Sequence, residues 1–515
     1  MKYSKYNDVY LPQDGVGAGR LAINGKNTLL KIVNKGSFPD SYERITCDNH
    51  ARNEVQDCHG TLNDGSKASL LNCVSMGFTR YGLGEAVQHE VRIFPHYILI
   101  GDSFISSGEE KIKSISYYFE NADRLVNTLQ TFGTIYPEHE EFKKILEADH
   151  ERGKQIAEKY DWNTKEKRPA IGDHPILQYF SGHHEIAQCQ TRIGSIAMEN
   201  CVSHGFGASS GVKITNEIMT SLEFSAPKSV DKAFDALGKL HNFFQLCLGK
   251  RQRYLWIKVQ LVKGEKEADS PTAKTLEGYW SYCNEKISGE TSPTYYGDVL
   301  LDAGAQREEF ETVLSGWMDS TATVGRARNR FANAFYANSY NVDRMVGAAN
   351  MFDILPSTHV PAKVEMDEIT RDAVEETRRR FKALPDSLAQ QSVLSVLGRI
   401  GKASLRDKVY HRADIVAEAD PQRFAELRLP CNQAVLCRNH FVHGSEGTFD
   451  YGEEVAVSAF LTDTLEFVFA VSDLIDLGWD YRFWCSKGSS LSHKFGSYIV
   501  DYEINLRMLK QLVNK

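Results

Sequence analysis

The chain has 515 residues, 42% hydrophobic, 25% charged and 11% aromatic, which excludes wholesale disorder or a collagen-like repeat and leaves room for two to four domains. A net charge of −8, from 60 Lys+Arg against 68 Asp+Glu, excludes nucleic-acid coating by bulk positive charge, so any such chemistry must use a local patch. Arg20–Asn24 and Thr28–Val33 read as strands joined at Gly25-Lys-Asn27, a hairpin signal. Gly60 to Ser66 is a turn-rich link into a strand over Ala68–Val74, and Val91–Ile100 and Ile112–Phe119 are further strands. The spacing predicts a sandwich or barrel-like module.

Helical spacing rises over Glu138–Tyr160, and a polar, Gly- and Ser-containing region follows from Asp161 to Ser210. Strands are predicted at Lys213–Phe224 and Tyr254–Val262 with a helix over Asp231–Leu248 between them; Gly264–Lys274 and Ser288–Tyr296 read as loops. From about residue 305 the texture is helical: Glu308–Met318, Arg326–Tyr340, Asp343–Leu355, a break at Pro356 to Pro361, then Asp367–Leu384, Ser387–Ile400, Asn432–His443 and Glu453–Leu477. The last is apolar enough for a central bundle helix, although Asp463, Glu466, Asp473 and Asp476 interrupt it. The fold class is therefore α+β in two parts: a mostly β region over residues 1–304, then an all-α bundle over 305–515.

The N-terminus has no apolar signal core and no run of 18 apolar residues occurs, so neither secretion nor a membrane span is expected. Ten cysteines then read as thiols of a cytoplasmic protein. Charge does not separate the halves. Arg326, Arg328 and Arg330, and the run Arg378-Arg-Arg380, are the dense basic clusters, read as solvated helix faces or as phosphate-steering patches.

The segment Cys437-Arg-Asn-His-Phe-Val-His-Gly444 can carry chemistry. Its Arg-x4-His joins a guanidinium that can fork a phosphate to an imidazole that can move a proton, which suffices for RNA cleavage because the 2′-OH is the nucleophile. Gly444 sits where a helix C-cap glycine would, placing His443 in the last turn, where the negative end of the helix favours a cation and suits a general acid. Five positions on a helix separate two side chains by about 140°, so one protomer is expected to hold Arg438 and His443 awkwardly unless the helix end is distorted or a second copy completes the site; Asn439 and His443, four apart, share a face. A second Arg-x4-His, Arg406 to His411, is flanked by charges and reads as a surface helix.

Arg438 to Gly444 within a helical C-terminal third resembles the signature of the HEPN superfamily of ribonucleases. The stretch Cys58-His-Gly-Thr-Leu-Asn-Asp-Gly-Ser-Lys-Ala-Ser-Leu-Leu-Asn-Cys73, preceded by the hairpin over residues 19–33, is similar to the N-terminal domain of ApeA-type anti-phage proteins, as are Phe94-Pro-His-Tyr-Ile-Leu-Ile-Gly101 and the stretch from Leu240-His-Asn-Phe-Phe244 to Leu261. The resemblance implies an N-terminal sensing module and a C-terminal nuclease, dimeric, acting in abortive infection. It places the family's arginine on Arg438, its polar companion on Asn439 and its histidine on His443, and assigns His440 no role. A family helper residue on an earlier helix is not chosen among Glu308, Asp343 and Asp353.

Implied partners are RNA, with host tRNA as a guess from how such nucleases behave, a phage-derived trigger, most simply a protein, and a second copy of the chain. No cofactor or metal is expected. Cys47 and His50 with Cys58 and His59 match no common zinc spacing, His183, His184 and Cys189 form no better set, and Gly82-x-Gly84 lacks a dinucleotide-loop context. No Gly-x4-Gly-Lys-Ser/Thr loop is present. The alternative is a binding protein whose HEPN-like bundle only dimerises.

Overall fold

The computed structural model describes residues 6–13, 17–35, 56–82, 87–126, 131–162, 171–206, 211–263, 274–281, 293–337, 339–361, 367–398, 400–488 and 490–514. The chain opens with β1 (Tyr6–Pro12), β2 (Ala18–Ile23), β3 (Leu29–Lys35), β4 (Gln56–Leu62), β5 (Lys67–Tyr81) and β6 (Gln88–Gly101). Each pairs antiparallel with two neighbours in the ring β1-β2-β3-β6-β5-β4, so the six strands close into a barrel and most ladder groups find partners. The expected hairpin sets Ala18 opposite Val33 and Leu21 opposite Leu30. Alternate residues point inward, and Leu21, Leu30, Ile32, Leu70, Val91, Ile93 and Ile98 fill the interior.

β6 serves two structures. Its first half pairs with β3, as Ile93 opposite Leu30, and its second half pairs with β14 (Thr275–Trp280), as Tyr97 opposite Trp280. Pro95, which has no N–H to offer, stands where the partner changes. From there an open antiparallel sheet continues through β13 (Tyr254–Leu261), β7 (Ile112–Phe119), β12 (Val212–Lys228), β11 (Gly194–Phe206) and β10 (Glu185–Thr191). A small pair, β8 (Phe132–Ile135) with β9 (Leu177–Phe180), and the exposed helix α1 (His139–Lys159) lie outside this sheet.

The span 161–210 is therefore not mere polar loop: it supplies β9, β10 and β11. The strand signal is weak there because the buried face of β11 includes the polar Asn200 beside Ile196 and Met198. The turn into β11 needs Gly194, since a Cβ there would stand 1.9 Å from the Glu223 carbonyl oxygen. Two expected loops lie largely outside the described residues, at 264–273 and 282–292, and β14 between them was not anticipated.

Helix α2 (Val230–Leu248) covers the open sheet and also faces the C-terminal helices, so one hydrophobic core runs through both halves. Phe243 packs its ring on Phe310 and Trp317, and Trp317 Nε1 donates to the Lys239 carbonyl. α3 (Arg307–Asp319) covers the edge strand β10: the Gln188 and Arg192 N–H groups donate to Glu311 and Asp319, and Ser315 donates to the Gln190 carbonyl.

The remaining helices are α4 (Ala322–Phe335), α5 (Val342–Asp353), α6 (Glu368–Lys382), α7 (Leu388–Leu397), α8 (Leu405–Ala419), α9 (Arg428–His443), α10 (Val455–Asp476), α11 (Tyr481–Ser486) and α12 (Lys494–Val513). α10 is the bundle's central helix. It is long and apolar enough to cross a membrane by composition, but it lies mostly buried inside the protein. Its four acids can sit against this core because each meets an arginine. Asp473 takes Arg328, Glu466 and Asp463 take Arg344, and Asp476 takes Arg412. Two sequence readings change here. Arg328 is buried in an ion pair, so only Arg326 and Arg330 of that cluster are solvated. α8 is not a surface helix, because Val409, Arg412, Ala413 and Val416 bury one face of it. Arg378, Arg379 and Arg380 are exposed on α6.

Candidate functional site

α9 runs to His443 and ends on Gly444, whose φ of 66° is the left-handed conformation that the sequence assigned to a capping glycine. Gly444 N–H donates to the His440 carbonyl at 2.9 Å. Cys431, Ala434, Val435 and Cys437 turn inward, which leaves Arg438 half-buried and lifts His443 to the exposed end. Burial pushes the Cys437 thiol up to about 12, so it stays a neutral core group beside the site.

Arg438 Nη1 lies 3.0 Å from His443 Nε2 and 3.1 Å from Asn439 Oδ1. The expected awkwardness of a five-residue spacing is absent, because a long, flexible arginine spans the angular offset that the two Cα positions impose. A guanidinium has donors only, so His443 Nε2 must be accepting with its lone pair; in this state the ring is neutral and its other nitrogen carries the hydrogen. Asn439 holds the guanidinium rather than the imidazole.

The other side of Arg438 is held by α5. Nη2 donates to Asn350 Oδ1 at 3.2 Å and stands 3.8 Å from Asp353 Oδ2. Among the three acids left open, Asp353 is therefore the one beside the motif. Asp343 occupies the opposite end of the same helix, about 15 Å away at 1.5 Å per residue, and Glu308 lies on α3. Asn350 was missed: nothing in one sequence marks it, although it precedes Asp353 by three residues and so shares its helix face. Arg438 Nε is buried and has no hydrogen-bond partner among the described residues.

His440 points elsewhere. Its Nδ1 donates to the Ser445 carbonyl at 2.8 Å and its ring packs near Tyr451 and Phe441. Of the weaker metal candidates, Cys47 and His50 lie outside the described residues. Cys58 faces the barrel interior while His59, the next residue of β4, faces out, so the two cannot share one ion. His184 Nδ1 donates to the Asn200 carbonyl and Cys189 is buried; Gly84 lies outside the described residues. No group of three His, Cys, Asp or Glu among the described residues is placed to hold a metal.

Comparison with known families matches residues 8–317 to ApeA N-terminal domain 1 and residues 272–483 to Apea-like HEPN. The chain belongs to the ApeA-type HEPN proteins. The first match covers the barrel and open sheet and reaches into α3; the second covers the helices from α3 into the start of α11 and includes Arg438 to His443. The ApeA-like HEPN domain fits an anti-phage nuclease at the level of the family, and HEPN membership suggests ribonuclease activity. No curated protein and no solved structure matches the chain.

Proposed function

We propose that the protein is an anti-phage endoribonuclease that cleaves RNA without a metal, through 2′-OH attack, and leaves 2′,3′-cyclic phosphate ends. The observation that carries this reading is the 3.0 Å contact of Arg438 Nη1 with His443 Nε2 at an accessible helix end, with the guanidinium braced by Asn439 and Asn350.

In the resting site an Arg438 N–H occupies the lone pair of His443. An incoming phosphodiester competes for the guanidinium, and Arg438 turns its fork, including Nε, to the phosphate oxygens. His443 Nε2 then takes the 2′-OH proton, the 2′-oxygen bonds to phosphorus, and the bond from phosphorus to the 5′-oxygen breaks. Arg438 stabilises the extra charge of the pentavalent state. The departing oxygen needs a proton from a second acid; a second copy of the chain supplies it through its own His443, protonated, across a two-fold axis. Asn439 and Asn350 are positioning residues that act through Arg438.

The trigger is phage-derived and acts through the N-terminal region; the continuous core across α2 and the α3–β10 contacts give it a physical route to the bundle. The setting is cytoplasmic and the RNA is host RNA, with tRNA as the first to test. The test is incubation with total RNA, with and without EDTA and with phage lysate as the trigger source, for the wild type, Arg438→Ala and His443→Ala. Cleavage that persists in EDTA and disappears in both variants is expected. Cleavage or phage protection that survives both substitutions refutes the assignment, and binding without cleavage marks a non-catalytic HEPN-like protein.

A further inference from the structure

The second Arg-x4-His of the chain lies on α8, and what that helix brings to Arg438 is neither its arginine nor its histidine but the lysine between them. Lys408 Nζ donates to the Asp353 main-chain carbonyl at 2.9 Å and stands 3.6 Å from Asp353 Oδ1. Asp353 Oδ2 in turn stands 3.8 Å from Arg438 Nη2. Two cations from separate helices thus share one carboxylate, and both are mostly shielded, with side chains 16% and 15% exposed.

One carboxylate balances one of the two cations. With His443 neutral, the cluster keeps about one unit of positive charge, in a place where partial burial makes that charge strongly felt. An ammonium has three donors. The carbonyl takes one and the carboxylate attracts another, which leaves the third for a ligand. A lone phosphodiester on Arg438 would use only part of this field, whereas a polynucleotide carries its next phosphate along the same strand.

We propose that Lys408 binds a phosphate adjacent to the one held by Arg438, so that the site takes an RNA strand with at least two consecutive phosphates. The inference rests on the nuclease reading above and adds a second contact to it. Asp353 is the hinge of the arrangement: it aligns both cations while the strand is absent.

The test measures binding of the full-length chain to a single-stranded 2′-O-methyl RNA, which lacks the nucleophile, across a salt series, for wild type, Lys408→Ala and Lys408→Arg. Losing one phosphate contact lowers the slope of log affinity against log salt by about 0.7 and weakens binding roughly tenfold at moderate salt. Lys408→Ala is expected to show both changes, and Lys408→Arg to restore the slope. Lys408 also caps the C-terminal end of α5, so thermal unfolding is followed in parallel. A less stable Lys408→Ala that keeps the wild-type slope means a cap alone and overturns the proposal. Cleavage of unmodified RNA by wild type together with an unchanged slope overturns Lys408's role and leaves the nuclease reading intact. With phage lysate present as the trigger source, the expected slope change without cleavage of unmodified RNA does the reverse, and no binding by wild type overturns both.

Discussion

Arg328→Met tests whether the central helix is held by its buried charges. Arg328 is 3% exposed and meets Asp473 through two bonds, Nε to Oδ2 at 2.7 Å and Nη2 to Oδ1 at 3.1 Å. Its Nη1 also donates to the Trp317 carbonyl and Ser320 Oγ, and its plane lies 3.9 Å over the Trp317 ring. Methionine keeps the apolar stem but leaves Asp473, itself 5% exposed, without a counter-charge. Breaking a buried pair from one side costs about 3–5 kcal/mol, and the stranded Trp317 carbonyl adds about 1 kcal/mol. Combining it with Asp473→Leu removes both charges and should recover most of that loss. Urea unfolding of the three proteins, followed by Trp fluorescence and circular dichroism, reads the differences as shifts in midpoint. Arg328→Met with unchanged stability but weaker RNA binding would refute the reasoning, because that is the behaviour of a phosphate-steering arginine.

Three further outcomes follow from the geometry. Burial holds His241 and His493 down to about 4; His241 Nε2 donates to the Gln252 carbonyl, and His493 donates from Nε2 to Leu246 while accepting the Phe495 N–H. Unfolded rings gain protons near 6.5 and folded ones only near 4, so their stabilisation is full above pH 6.5 and falls by about 2 kcal/mol per ring by pH 5; a urea midpoint that does not fall between pH 7 and 5 would contradict this. Gly444→Ala meets no steric obstacle but places a Cβ at φ 66°, which costs about 1 kcal/mol and re-aims His443; turnover should drop more than tenfold with only a small change in melting temperature. Arg438→Lys keeps a charge but loses the fork, so cleavage of RNA should fall at least a hundredfold, and wild-type rates in that variant would remove Arg438 from the chemistry.

Much of this protein could be read from neighbours in the chain. Alternation marked most barrel strands, and the apolar spacing marked the bundle. Arg438, His443 and Gly444 stood out because an arginine's reach and a helix cap are matters of five or six consecutive residues. Even α12 carried a plain signal, with Phe495, Tyr498, Tyr502, Leu506 and Leu509 at helical intervals, although it was passed over. Partnership across distance was a different matter. The acids of α10 were visible as interruptions, but their arginines come from helices 64 to 145 residues away. Closure of the barrel depends on β1 meeting β4 and β5 meeting β6, a choice of edges that alternation leaves open. Asn350 is 88 residues from Arg438, and Lys408 reaches the same place from a third helix. A local pattern reports which face of an element avoids water; which other face it meets is decided by packing the whole chain, and the surroundings of Arg438 belong to that second decision.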